Sequence, residues 1–298
     1  MKIGIGLPVA VPGRAAEEIA HWAAESERLG FYSLGAIDRL VYDVLDPLVA
    51  LGAAAAATER VRLTTAVLNV GWRNNSTLMA KQLATVDLLS GGRLTAGLGL
   101  GAWPDDYEVS GVPFADRGKT LDKTLDDARR VWDGEVSSLS GPLPKMPDGR
   151  PTMLLGGLVP KAFRRAARVA DGWMAPSFDY DLMAKGIAGV RAEWEKLGRS
   201  GTPLFATIRY FSLGENAKEN RDAYVRTYYG GDDLLDLAAA HAVTNDDELR
   251  SHLVRCAEAG IGELVLLPCT SSSDQIQLLA DALERVGATR DPVFDFQS

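Results

Sequence analysis

Five glycines crowd the stretch Gly91-Gly92-Arg93-Leu94-Thr95-Ala96-Gly97-Leu98-Gly99-Leu100-Gly101-Ala102-Trp103-Pro104, and their spacing limits the chemistry it can serve. A dinucleotide fingerprint reads Gly-x-Gly-x-x-Gly and opens directly into a helix whose N-terminus holds the pyrophosphate. Here Gly97, Gly99 and Gly101 alternate, and Ala102-Trp103-Pro104-Asp105 is a poor helix start. The expectation is a strand with one face bare of side chains, open to close approach by a neighbouring element or by a ligand. Tight packing inside a small barrel and room for a ligand both fit this pattern.

A second glycine pair adds anion chemistry. The run from Pro151 to Trp173 reads as a strand, Thr152–Leu155, then Gly156-Gly157, then a helix with Pro160 near its first turn and Lys161, Arg164 and Arg165 behind it. Backbone N–H groups at a glycine turn and a helix N-terminus cradle a phosphate without a buried side-chain charge. An ordinary turn with surface basic residues is the alternative. Barrel phosphate sites usually follow strands 7 and 8, whereas this turn follows strand 5, so the ligand would be held by a different arrangement.

Other chemistries find little support. Cys256 and Cys269 are the two cysteines and form no Cys-x-x-Cys, and His21, His241 and His252 are far apart, so zinc and imidazole-triad mechanisms lack ligands. Lys81, Lys119, Lys123, Lys161 and Lys185 fall on expected helices or their starts, not at strand ends where a Schiff-base lysine belongs. Asp105 and Glu215 are the only carboxylate pair that could serve a glycosidase. The net charge of −8, from 32 Lys and Arg against 40 Asp and Glu spread along the chain, offers no nucleic-acid face. No leader is evident, and no apolar run approaches the roughly 20 residues that span a bilayer. A soluble, cytoplasmic protein without membrane or nucleic-acid partners is expected.

These residues need a scaffold. Apolar runs at Ile3–Leu7, Tyr32–Ile37, Val61–Leu68, Leu94–Leu100, Thr152–Gly156, Gly172–Ala175, Leu204–Ser212 and Glu263–Leu267 alternate with amphipathic segments at Ala15–Leu29, Asp46–Thr58, Ser76–Leu89, Arg117–Trp132, Lys161–Ala170, Asp181–Leu197 and Asp247–Ala259. Strands that are continuously apolar are covered on both faces, and eight strand–helix units in 298 residues, 46% hydrophobic, imply one α/β domain over 1–298, a (β/α)8 TIM barrel. Asp46 before Pro47, Ser76 and Asp246 read as helix caps. Three connections are too long for plain turns: Ala102–Asp116, Gly134–Pro151 and the region around Gly230–Asp246. The second, rich in Gly, Pro and Ser, reads as a flexible span.

The run Asp46–Trp132 and the segment Gly156–Pro176 resemble the bacterial luciferase-like superfamily of FMN- and deazaflavin (F420)-dependent oxidoreductases, especially its small actinobacterial members. The likeness continues weakly to the closing Gly260–Pro268. It implies a luciferase-like barrel, usually a homodimer, with FMN or reduced F420 at the C-terminal strand ends. On this resemblance Asp38 corresponds to the acid near the ring and substrate, with an exposed loop Asp as the alternative. Thr65, Ala66 and Val67 correspond to a strand-3 bulge that in many members holds a non-proline cis peptide behind the ring. Gly99, Leu100 and Gly101 correspond to the strand end beneath the cofactor, and Gly156, Gly157 and Leu158 to the phosphate loop.

The departures are as informative. Members that oxidise sugar phosphates or alcohols carry a histidine after the strand-2 acid and, in the sugar-phosphate enzymes, a glutamate after strand 4; here Arg39 and Ala102 stand there. Arg39 would then hold an anionic group of substrate or cofactor, or be a surface cation. With Asp38 it is the candidate for catalysis. Asp105, Asp106, Tyr107 and Tyr42 lie on rim loops and would titrate if buried. Tyr42, Trp72, Trp103, Tyr107 and Phe178 are candidates for an apolar pocket around a small organic substrate, whereas Trp173 reads as packing. The implied activity is hydride transfer from reduced F420, or FMN-dependent monooxygenation, with a non-catalytic relative of the fold as the alternative.

Overall fold

The computed structural model describes residues 1–143, 146, 149–230 and 235–288. Eight parallel strands close into a barrel: β1 (Lys2–Gly6), β2 (Ser33–Ala36), β3 (Arg62–Asn69), β4 (Leu94–Gly99), β5 (Thr152–Leu155), β6 (Gly172–Met174), β7 (Leu204–Phe211) and β8 (Glu263–Pro268), with β8 pairing back to β1. Every residue of β4 is buried, as expected when the barrel interior covers one face and helices the other. The expected (β/α)8 barrel is therefore the observed architecture.

The outer layer comprises α1 (Ile19–Arg28), α2 (Pro47–Ala57), α3 (Ser76–Ser90), α4 (Pro104–Val109), α5 (Arg117–Trp132), α6 (Pro160–Val169), α7 (Tyr180–Lys196), α8 (Ala217–Tyr229), α9 (Leu235–Ala239), α10 (Asp246–Ala259) and α11 (Asp274–Arg285). Asp46 caps α2 as expected, accepting from the N–H groups of Leu48 and Val49. The other two expected caps are displaced by one residue. Asn75 accepts from Leu78 N–H and Asn245 from Glu248 N–H, because a side-chain amide just outside the helix reaches those donors, while Ser76 and Asp246 are already helical. The five lysines lie on α3, α5, α6 and α7, none of them on a strand.

The long connections hold structure. Ala102–Asp116 contains α4 and a 3-10 turn at Phe114–Asp116. Contrary to expectation a helix does start at Pro104: proline suits the first turn, and Asp105 and Asp106 favour its positive end. Gly134–Pro151 contains a hairpin pairing Ser137–Ser138 with Gly141–Pro142, and 144–145 and 147–148 of that span lie outside the described residues. The Gly230–Asp246 region contains α9, and its 231–234 likewise lie outside. Two helices absent from the sequence periodicity, α8 and α11, complete the ring. Among the described residues no helix is long and apolar enough to cross a membrane, and no group of three or more His, Cys, Asp or Glu is placed to hold a metal ion.

One irregularity positions the site. The register between β3 and β4 shifts between Thr65 and Leu68, and the Ala66–Val67 peptide is cis. Thr65 Oγ1 donates to Gly97 O across the shift at 2.7 Å. A Cβ on Gly97 would strike the Thr65 carbonyl oxygen, so glycine there is set by strand packing. The two readings of the alternating glycines thus divide: Gly97 makes room for β3, whereas Gly99 and Gly101 line a cavity.

Candidate functional site

A cavity of ≈ 400 Å³ opens at the C-terminal ends of the strands, within the range of about 300–1,000 Å³ common for small-molecule sites. Ala66 and Val67 of β3, Gly99, Leu100 and Gly101 at the end of β4, and Gly156, Gly157 and Leu158 after β5 line one side, and Asp38 lies at the end of β2. The structure thus brings nearly all the residues assigned to a cofactor into one lining. Thr65 is the exception: it is fully buried behind the wall, its hydroxyl given to Gly97.

The turn after β5 leaves donors unspent. Gly156 N–H pairs with Leu98 O in the sheet at 2.8 Å, but the N–H groups of Gly157, Leu158 and Val159 donate to no acceptor among the described residues. Val159 occupies the cap position of α6 and has no side chain that can cap it. Trp173 Nε1 donates to Gly157 O at 2.9 Å, fixing the turn from behind. Gly157 sits at φ 126°, and a Cβ there would come within 2.6 Å of Ala162 Cβ. A rigid turn, an uncapped helix start and free amides make an anion cradle.

Asp38 is buried, not an exposed loop acid. Its Oδ2 accepts from Asn69 N–H at 2.9 Å and from Arg73 Nη2 at 3.1 Å, while Asn69 Nδ2 donates to Asp38 O at 2.7 Å. Burial pushes the carboxyl above its ordinary value, against the pull of Arg73 and the Asn69 amide. The outcome is a carboxyl group at the cavity wall with a proton-holding tendency.

Arg39 departs from the expected role. It is buried and does not line the cavity: Nε lies 3.2 Å from Asp106 Oδ2, and Nη2 bonds Asp105 Oδ2 and Val41 O. Fully buried Asp106 also accepts from the N–H groups of Leu40 and Val41, so the pair ties the β2 loop to α4. Trp103 stacks under the guanidinium, 4.0 Å from ring centroid to Cζ, and stands between it and the cavity. Arg39 is therefore a positioning residue, neither a surface cation nor a lining anion receptor, because α4 presents two carboxylates to it.

The aromatic candidates separate in the same way. Trp103 lines the cavity. Tyr107 is buried, donates to Leu100 O and is pushed up to about 12 by burial, so it anchors the strand end from outside. Trp72 is buried beneath Arg73, 4.4 Å from Cζ to its ring centroid, in a separate depression. Tyr42 packs edge-on behind Tyr228 with ring centroids 5.2 Å apart, and Phe178 behind Tyr210 and Tyr229. None of these four forms the cavity surface, and Tyr107, Tyr42 and Phe178 back residues that do. Sequence reasoning missed Tyr210, Tyr228 and Tyr229, which do line the cavity. The buried Tyr224, Val225 and Tyr228 at helical spacing were the available signal for α8, diluted by its charged majority. The carboxylates nominated for a glycosidase, Asp105 and Glu215, both lie outside the lining.

Comparison with known proteins agrees with this architecture. A family model described as luciferase-like monooxygenase matches residues 1–263. An uncharacterised protein of Mycobacterium tuberculosis is 35% identical over 164 residues, 52% of this chain and 56% of its own length, so the chain spans about half the length of the curated relatives it matches. The crystal structure of a monooxygenase from Streptomyces bottropensis aligns with a TM-score of 0.80 at 24% identity, covering 96% of this chain and 99% of that one. An F420-dependent secondary alcohol dehydrogenase, solved with an F420–acetone adduct, aligns at 0.78 with 18% identity, covering 96% and 98%. At these identities the structural likeness shows the fold.

Proposed function

Because this chain belongs to the luciferase-like monooxygenase family, we propose that it is a flavin- or deazaflavin-dependent oxidoreductase acting on a small organic substrate, with reduced F420 as coenzyme and FMN as the alternative. One observation carries the reading: a cavity at the strand mouths runs into a turn whose three successive amides, Gly157 to Val159, have no protein acceptor among the described residues. The lining suits a flat ring with a phosphorylated tail, since Ala66, Gly99 and Gly101 expose backbone, and the β5 turn offers N–H groups to an anion.

When bound, such a coenzyme supplies a hydride or activates dioxygen. The protein's part is to bind, orient and exclude water. The Gly156–Leu158 turn would hold the tail, Ala66, Val67 and the Gly99–Gly101 strand end would support the ring, and the aromatic wall would limit the access of water. Among the described residues Asp38 is the one carboxyl group in the lining, and its Oδ1 accepts no hydrogen bond from them, so this carboxyl can hold or accept a proton there. Homodimerisation and a cytoplasmic setting complete the proposal on family likeness.

Titration of the purified protein with FMN and with F420, each oxidised and reduced, followed by fluorescence, tests the reading. Binding of reduced F420 is the expected result, and binding of neither coenzyme overturns it. A non-catalytic coenzyme-binding relative is favoured by one observation: Arg39 and Ala102 stand where dehydrogenases of the family carry acid–base residues. Binding without turnover across a broad panel of acceptors selects that second reading.

A further inference from the structure

The wall opposite the glycine turns is built from tyrosine, and its free polar atoms are few. Tyr228 and Tyr229 end α8 with ring centroids 5.0 Å apart and planes at 77°, and Trp103 lies 5.8 Å from Tyr229 and 6.0 Å from Tyr228. The hydroxyls of Tyr210 and Tyr229 share one hydrogen bond at 2.9 Å. Tyr228 differs. It lines the cavity, its hydroxyl has no protein partner among the described residues, and that oxygen is not among the buried atoms left unsatisfied, so it opens onto the cavity. Burial holds its phenol well above the ordinary value, which keeps it a donor at any working pH.

Charge narrows what can sit there. Among the described residues no Lys, Arg or His lines the cavity. The two nearby guanidiniums are engaged, Arg39 by Asp105 and Asp106 behind Trp103, and Arg73 by Asp38. A phosphate or carboxylate next to this wall would lose its water with no cation to replace it, facing the Asp38 carboxyl.

Resting on the coenzyme reading above, we propose that the aromatic half of this cavity takes an uncharged aromatic carbonyl compound, its ring packed on Trp103 and Tyr229 and its carbonyl oxygen accepting a hydrogen bond from Tyr228. Flat faces and ring edges at these spacings favour an aromatic guest, and the Tyr228 hydroxyl beside them supplies a neutral donor that fixes its orientation. Tyr228 is thus a specificity-determining residue.

Calorimetric titration of the coenzyme-loaded protein with acetophenone, ethylbenzene, benzoate and glucose 6-phosphate tests this, with the same four probes run on coenzyme-free protein. Acetophenone should bind about five-fold more tightly than ethylbenzene, the scale of one neutral hydrogen bond, and benzoate and glucose 6-phosphate should bind at least about ten-fold more weakly than acetophenone. Tyr228→Phe keeps the ring and should erase the advantage of acetophenone over ethylbenzene, leaving ethylbenzene affinity and the melting temperature in place. Equal binding of an anionic probe, or an acetophenone advantage that survives Tyr228→Phe, overturns the inference. Failure of both coenzymes to bind instead overturns the functional reading, and the coenzyme-free titrations still decide the substrate class.

Discussion

Arg73 reaches Asp38 Oδ2 at 3.1 Å from outside the cavity, while its Nε remains buried without a partner and its Nη2 also lies 3.6 Å from Asp46 Oδ2. One guanidinium thus joins the β2 acid to the cap of α2. It pulls Asp38 towards the ionised form, and burial pulls harder the other way.

That balance predicts a pH dependence. A carboxyl whose folded pKa exceeds its unfolded value binds more protons in the folded state, so its contribution is full below the ordinary carboxylate pKa of about 3.9 and is lost as pH rises towards the folded value. Relative to Asp38→Asn, which cannot ionise, the wild type should lose melting temperature as pH is raised upward from about 4. A difference that is flat with pH, or that slopes the other way, contradicts the assignment.

Arg39 is predicted to matter for stability. Arg39→Met removes the cation from Asp106, which is 0% exposed, and should lower unfolding free energy by about 3–5 kcal/mol, the usual cost of breaking a buried pair. Urea denaturation at unchanged slope measures it. A loss below about 1 kcal/mol, the range of surface pairs, would mean the clamp is solvated.

The amide cradle predicts a selective affinity loss. Leu158 is 48% exposed, so Leu158→Asp leaves folding alone and places a negative charge where the tail would sit. Affinity for FMN or F420 should fall about ten-fold or more, the scale of a lost charge-assisted hydrogen bond. Riboflavin, which has no phosphate, should be nearly unaffected. Equal losses place the tail elsewhere. Gly157 is the poorer choice, because a side chain there meets Ala162 and disturbs the turn itself.

Gly97→Ala tests the packing role of the strand glycine. Its methyl would strike the Thr65 carbonyl across the β3 shift, and overpacking of this kind costs about 1–3 kcal/mol. A calorimetric melting temperature several degrees lower is expected. An unchanged value would mean the strands part without cost.

The amino-acid sequence by itself determined the barrel, because eight apolar runs separated by amphipathic helices leave few ways to cover both faces of every strand. It also located the glycine turns, since backbone approach demands a residue type that is visible in one dimension. Long-range partners were beyond it. Arg39 reads as a free cation until α4, 66 and 67 positions later, brings Asp105 and Asp106 to its side. Tyr228 reads as a helix residue until the closed barrel turns it towards β2 and β4. Which charges are neutralised and which rings become a wall depend on contacts between distant segments, and only the tertiary structure decided them, because local spacing carries no information about what a side chain meets across the barrel mouth.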